Sequence, residues 1–420
     1  MCYWILLDVW INSISVTLKK TNPNKNVMKP PRTCFREAFL LYFYRMLENV
    51  NFYNDPLLVQ SLRPLSYYRT LDQLWLGTST IRDKWQALNI QISDPSQQLN
   101  ILGSLLPDPA TVSAISALED HTVLMQDRQV LAFVGSETHP EITSKKKIIY
   151  TGNAQWIQYP EDLLVHQAAT LCQEIQAAPF DLEKYQALGN IIIAPENCFI
   201  HPKAQMKGCM LDASSGPIFL GEDVNLQMGT IIQGPAAFLK GSTSNLGAKI
   251  RPNTTIGPAC KVGGEINHSI FFPYSNKAHE GYIGSSVIGS FSNMGALTSN
   301  SNLKNDLKPV TLFDYGLKQS RNTGLKALGI IMGDFVTTGI HSKFNTGTVI
   351  GCHCNISSQA FLPKFIPSFT WGEYPKVQSY HMAKALQVAS DWMSLKQQGI
   401  PENLTQVMEE IWKEEASFRT

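Results

Sequence analysis

Along the middle of this chain a large aliphatic residue returns every six positions: Leu220, Leu226 and Ile232 in one series, Ile250, Ile256 and Val262 in a second. Ile288 and Met294 continue the pattern, as do Ile350 and Ile356. Several are followed at once by Gly, and four positions on comes a small or short residue: Val224, Thr254, Cys260. A helix repeats about every 3.6 residues and a strand about every 2, so neither explains this period. A chain that turns a corner every hexad does, with the aliphatic residue inward and Gly relieving the corner. That is the sequence form of a parallel β-helix. The phase recurs from Cys198 to Phe361, which sets it above a Gly-rich β domain with accidental spacing.

At 420 residues the chain has room for two domains. Its 35 basic and 34 acidic residues leave a net charge of +1 and no basic stripe, which argues against nucleic-acid binding. Cys352-His353-Cys354 reads as alternating small fillers of one β-helix turn rather than a metal site, because no second ligand pair stands at zinc-like spacing. The eight cysteines form no paired framework and fit a reducing cytoplasm. The opening MCYWILLDVWI lacks a basic start and is too short for a membrane span. Met46 is the expected true start, with residues 1–45 a non-native or disordered extension.

Residues 46–190 mix strand-like and helix-like runs, as an α/β domain would. Helices are expected near Thr80–Trp85, after Pro109 and over Pro160–Ala177, and a strand at QVLAFVG. The hexads fill 191–365, broken by an excursion over Asn300–Lys326 of the kind that often binds ligands. Residues 366–420 become helical, and these tail helices are expected to cap the open solenoid end.

The densest cluster of chemically capable residues is 275–308. Acetyl transfer to an amine needs a base for the ammonium proton and a donor for the developing oxyanion. His279 is a candidate base, and Tyr282 and Asn293 are candidate donors. Arg251 and Lys308 are candidate phosphate holders. A lone His would more readily be a surface residue; Lys277, Asn302 and Lys308 in register with it favour the catalytic reading.

Lys277-Ala278-His279, Tyr282, Gly289 to Asn293 and Gly295-Ala296 resemble the acetyltransferase domain of the bifunctional GlmU family, which makes UDP-N-acetylglucosamine. IRPNTTIGP resembles that family's Leu-Arg-Pro-Gly hexad. From about Asn51 onward the chain is similar to a shorter Bacteroidetes-type group of sugar nucleotidyltransferases, through GPIFLGEDV, NSNLKN, FNTGTVIG and FIPSFTWG. The resemblance implies a nucleotidyltransferase-like α/β domain, then a left-handed parallel β-helix with C-terminal helices. It implies His279 as catalytic base, with Arg251, Tyr282, Asn293 and Lys308 on the substrate. It places Asn302, Lys277 and Ala296 in the acetyl-CoA or oxyanion region. Acetyl-CoA is then the co-substrate, an amino-sugar 1-phosphate the acceptor and a homotrimer the assembly.

Two departures stand out. Asn267 occupies a position where the family has a second phosphate-contacting Lys. FYNDPLLVQ lacks the glycines of a phosphate-cradling loop, which makes nucleotidyl transfer from UTP or dTTP with Mg²⁺ the weaker expectation. Arg63, Arg69 and Lys84 are its candidate nucleotide contacts. The other readings are a nucleotidyltransferase whose β-helix only oligomerises it, and a non-catalytic sugar-nucleotide-binding scaffold.

Overall fold

A computed structural model describes residues 50–88, 90, 97–136 and 145–419; the expectations for residues 1–45 and Met46 lie outside these. From Val50 to the C-terminus the chain forms one compact unit. It opens with a sheet of five strands: β1 (Val50–Tyr53), β2 (Leu99–Leu102), β3 (Thr122–Gln126), β4 (Gln129–Val134) and β5 (Lys146–Ile149), in the order β1-β2-β4-β3-β5. β1 runs parallel to β2 and β3 parallel to β5, with β4 antiparallel between. The expected helices form at Ile81–Ala87, Pro109–Ser116 and Asp162–Glu174 (α1). Asp108 caps the second, accepting from the Ala110 and Thr111 amides, which would otherwise lack partners.

The hexads build a parallel β-helix, its strands stacked coil on coil. Ile218 pairs with Ala236 and Ala236 with Thr254, so a regular coil takes 18 residues, three hexads. Strands stack into a first face of nine, a second of ten and a third of six. The periodic residues point inward: Leu220, Ile232, Ile256, Val262 and Ile350 are fully buried. Both strand neighbours of each inward residue face out, as the pleat requires.

Corners between the first and second faces carry left-handed residues at Gly241, Ala259, Tyr274, Phe291, Phe335, His353 and Phe369. Their amides form one ladder, each donating to the coil below, for example Phe335 to Ser290 and Phe369 to Cys352. The last five carry flat rings that stack at centroid distances of 4.7, 5.1, 4.9 and 5.0 Å. A left-handed residue with a side chain costs roughly 1–2 kcal/mol. Each ring pair returns about 0.5–1.5 kcal/mol beyond its buried area, so stacking can offset much of that cost.

Helices α2 (Met382–Leu395) and α3 (Leu404–Glu414) pack on this ring stack through Ala385, Ala389, Met393, Met408 and Ile411. They flank the solenoid. At its C-terminal edge, the ten-stranded face is finished instead by an antiparallel hairpin of Thr370–Tyr374 and Lys376–Ser379. The excursion also forms a hairpin, Thr311–Asp314 with Gln319–Asn322. Its Val310, Leu312 and Tyr315 join the α/β core, and Arg321 pairs with Glu161 at 2.7 Å. Leu303 bridges Ala327 at the base of the excursion, and residues 304–310 stay outside regular structure.

The first face is covered by the α/β domain. Ile270, Phe272, Val287, Ile331 and Val349 look out from the solenoid into the same core as Leu65, Leu71 and Phe133. In α1, Gln167 donates to Thr255 Oγ1 at 2.6 Å, and that hydroxyl donates to the Gly77 carbonyl at 2.7 Å.

His353 is fully enclosed in the ring stack, with Nε2 2.5 Å from the Tyr68 hydroxyl, and burial pushes its pKa down to about 3. The unfolded chain takes up a proton near pH 6.5 that the folded chain refuses until about pH 3, so stability falls as pH drops through that window. Replacing His353 with Phe keeps the stack and removes this contribution. Urea midpoints from pH 7 to 4 are expected to fall less steeply in the variant than in the parent.

Candidate active site

The His279 turn owes its shape to the coil beneath it. Four residues separate Ser244 from Lys249 and Lys277 from Tyr282, but only Gly263 and Gly264 separate Val262 from Glu265. This pinched corner lets the His279 turn settle directly on it. A Cβ on Gly263 would lie 2.2 Å from the Ala278 carbonyl oxygen, and one on Gly264 2.5 Å from that of Gly281. Both positions therefore exclude any side chain. Asn245, one coil further down, donates to the Ala278 carbonyl at 2.6 Å.

Lys277 sits at an inward position, paired in register with Val262, and is fully buried. Its Nζ donates to the carbonyls of His279 and, at 3.0 Å, Glu280, with Gly263 O at 3.5 Å. Burial pushes its pKa down to about 8. Lys277 is thus inside the solenoid, and its expected place in an oxyanion or acetyl-CoA region is corrected: an ammonium enclosed by main-chain oxygens does not face a ligand. The His279 side chain is exposed and, among the described residues, has no hydrogen-bond partner.

Tyr282 begins the strand that follows the turn. Its amide donates to Ser299 Oγ of the next coil at 3.0 Å, and its ring lies against Gly284, where a Cβ would come within 2.2 Å of the hydroxyl. In register below Tyr282 is Glu265, which pairs with Arg251 at 3.4 Å. Arg251 is 53% exposed, so this pair is weak and leaves the guanidinium available. Arg251, Glu265 and Tyr282 thus share the third face, with His279 at its corner.

The remaining expected residues are more scattered. Asn293 stands on the second face between Asn276 and Thr337, so a ligand reaching it and Tyr282 must bridge the corner. Lys308 is 75% exposed on the 304–310 segment and meets Asp306 at 3.8 Å. Asn302 closes the root of the excursion, Nδ2 donating to Ser285 Oγ at 3.3 Å while its carbonyl accepts from the Leu328 amide. Ala296 serves the corner, its carbonyl accepting from the His341 amide. Asn245, Ser299 and the Gly263-Gly264 pinch were missed from sequence. The one available signal was the hexad VGGEIN, whose paired glycines bring the next strand two residues early.

In the first domain the three cations expected on a nucleotide are engaged elsewhere. Arg69 is nearly enclosed and bonds Asp334 of the solenoid at 2.6 Å, with the Phe272 ring against its guanidinium. Lys84 is buried against Glu174 and donates to the Leu76 carbonyl at 2.7 Å. Arg63 pairs with Glu414 of α3 and stacks on Tyr67. These are structural ion pairs, and for Arg69 and Lys84 burial leaves no face for a triphosphate. Arg63 still borders a cavity of about 520 Å³ beside β1, with Asn51, Asn54, Gln60 and Asn100 on its wall. Where a Gly-rich loop was missing from the sequence, Asp55 instead caps a short helix, Pro56–Ser61.

Residues 50–179 match the family described as sugar nucleotidyl transferase. The chain is 36% identical over 126 residues to the bifunctional protein GlmU of Methanocaldococcus jannaschii, covering 30% of each chain. It is 30% identical over 199 residues to a bifunctional sugar-1-phosphate nucleotidylyltransferase/acetyltransferase of Sulfurisphaera tokodaii, covering 47% of this chain and 46% of the relative. The matches therefore span less than half of these relatives. Among solved structures, the UDP-N-acetylglucosamine acyltransferase of Francisella novicida aligns with 54% of this chain and 86% of its own, at 12% identity and a TM-score of 0.24.

The Arg69–Asp334 pair yields a direct test. Asp334 is fully buried, and its carboxyl is pushed up by burial more than Arg69 pulls it down. Arg69→Met should cost about 3–5 kcal/mol in urea unfolding, because it strands a buried carboxylate. Adding Asp334→Asn should restore most of that loss.

Proposed function

We propose that this chain is a GlmU-like enzyme that transfers the acetyl group of acetyl-CoA to the amine of an amino-sugar 1-phosphate, a reading supported by its partial similarity to the bifunctional relatives. One observation carries the reading: an exposed imidazole, without a hydrogen-bond partner among the described residues, on a turn fixed through its main chain and leading into the strand of Tyr282, which shares the third face with Arg251 across Glu265. In this mechanism the acceptor amine attacks the thioester carbonyl carbon and His279 takes the proton it sheds. Tyr282 donates a hydrogen bond to the substrate, and Asn293 approaches from across the corner. The C–S bond breaks and the CoA thiolate leaves, collecting a proton. Arg251 holds the sugar phosphate as a fork, and Lys308 adds a point charge from its mobile-length side chain.

Nucleotidyl transfer is the weaker half of the proposal. Its supports are the family match over 50–179 and the cavity beside β1. Among the described residues no cluster of three or more His, Cys, Asp or Glu is placed to hold a cation, so Mg²⁺ would be held mainly by the phosphates of UTP or dTTP. We also propose a homotrimer. The third face bears Ile191, Ile193, Met210 and Ile231, each at least 40% exposed, while the first face is covered. No described helix is long and apolar enough to cross a membrane; a cytoplasmic setting belongs to the same proposal.

His279→Ala should lower turnover of acetyl transfer about 10²–10⁴-fold with little change in acetyl-CoA binding. Arg251→Ala should instead raise KM for the sugar phosphate. Near-parental turnover in a folded His279→Ala protein would remove the base from this turn. Light scattering at micromolar protein is expected to give three times the chain mass; a monomer would refute the assembly.

A further inference from the structure

At the inward register position of the second face, the coils below Lys277 carry Leu226, Ser244 and Val262, and Met294 follows it above. All are small or apolar, as a close-packed interior demands. A lysine there is an anomaly, since an ammonium taken from water is costly unless its donors are satisfied. Among the described residues no carboxylate bonds it, and the charge of nearby Glu280 only partly opposes the effect of burial. The ammonium is satisfied instead by main-chain oxygens, and two of the three belong to His279 and Glu280. The third belongs to Gly263, on the pinched corner underneath. Asn245 takes the remaining carbonyl of the turn, that of Ala278. Every peptide oxygen from Ala278 to Glu280 is therefore held, that of Glu280 also by the Leu297 amide of the coil above at 2.8 Å, so that of His279 depends on Lys277 alone, while the imidazole is left outside.

We propose that Lys277 is a positioning residue: from inside the solenoid its ammonium fixes the main chain at His279 and Glu280 and so aims the imidazole over the third face. This rests on the reading of His279 as the base. The core would pack at least as well with an apolar residue of similar length, so Lys277 is retained for the turn and not for the fold. A purely structural lysine and a positioning lysine then differ in sign. Loss of the first weakens the protein; loss of the second leaves stability equal or higher while the turn loosens.

The test compares Lys277→Met with the parent in three measurements. Melting temperature should be unchanged or higher. Amide hydrogen exchange at Leu297 and Glu265, which donate to the Glu280 and Gly281 carbonyls of the turn, should quicken at least about 10-fold, with more distant coils unaltered. The kcat for acetyl transfer to glucosamine 1-phosphate should fall about 10–100-fold at unchanged KM for acetyl-CoA, as expected for a misplaced catalytic group. Parental exchange at Leu297 and Glu265 overturns the proposal, as does a broad loss of protection across the coils. If Lys277→Met does not fold, Gly263→Ala, which drives a methyl into the Ala278 carbonyl, should displace the same turn with Lys277 intact; parental exchange there would also overturn it. A parent that transfers no acetyl group refutes the base assignment alone, because the exchange measurements still decide whether Lys277 holds the turn.

Discussion

The whole structure depends on coils staying in register, and register is set at the corners. A strand of two or three residues has too few ladder bonds to fix its own position. The left-handed corner residue supplies the missing constraint, because its amide bonds the coil below and its side chain stacks on the corner residue there. Where regular corners recur, coils are interchangeable and inert. Where one corner is shortened by Gly263-Gly264, the next turn is displaced into a close main-chain contact and becomes chemically distinctive. The candidate site thus arises from a local fault in an otherwise repetitive stack.

The stack itself was legible because each inward residue answers to one rule, burial every six positions, and Leu220 to Ile356 obey it. The His279 cluster was legible as a pattern of residue types. The roles within it were not. Lys277 looks like a ligand-binding residue in one dimension, but which way a side chain points depends on its place in the coil. Lys277 falls on the inward phase, and counting back to Val262 across the shortened corner would have revealed this. The tail helices were read correctly as helices, yet their docking surface was not foreseen, since the aromatic corners recur 16 to 44 residues apart, across the excursion.

The first domain was harder for a different reason. Arg63, Arg69 and Lys84 cluster in sequence near the place where a nucleotide-binding loop is expected, and a cation there reads naturally as a phosphate contact. Their partners are distant: Asp334 lies 265 positions beyond Arg69, and Glu174 lies 90 beyond Lys84. A charge whose counter-charge comes from another part of the fold carries no local mark of its pairing.

The covered first face has a consequence for how the molecule comes apart. Ile270, Val287 and Val349 belong as much to the α/β core as Leu71 or Phe133 does. Parting the two would expose one continuous apolar surface and strand Asp334 in the dry half of the break. From Val50 onward the described chain is one compact unit, in which a wound opened anywhere along that seam spreads to both sides.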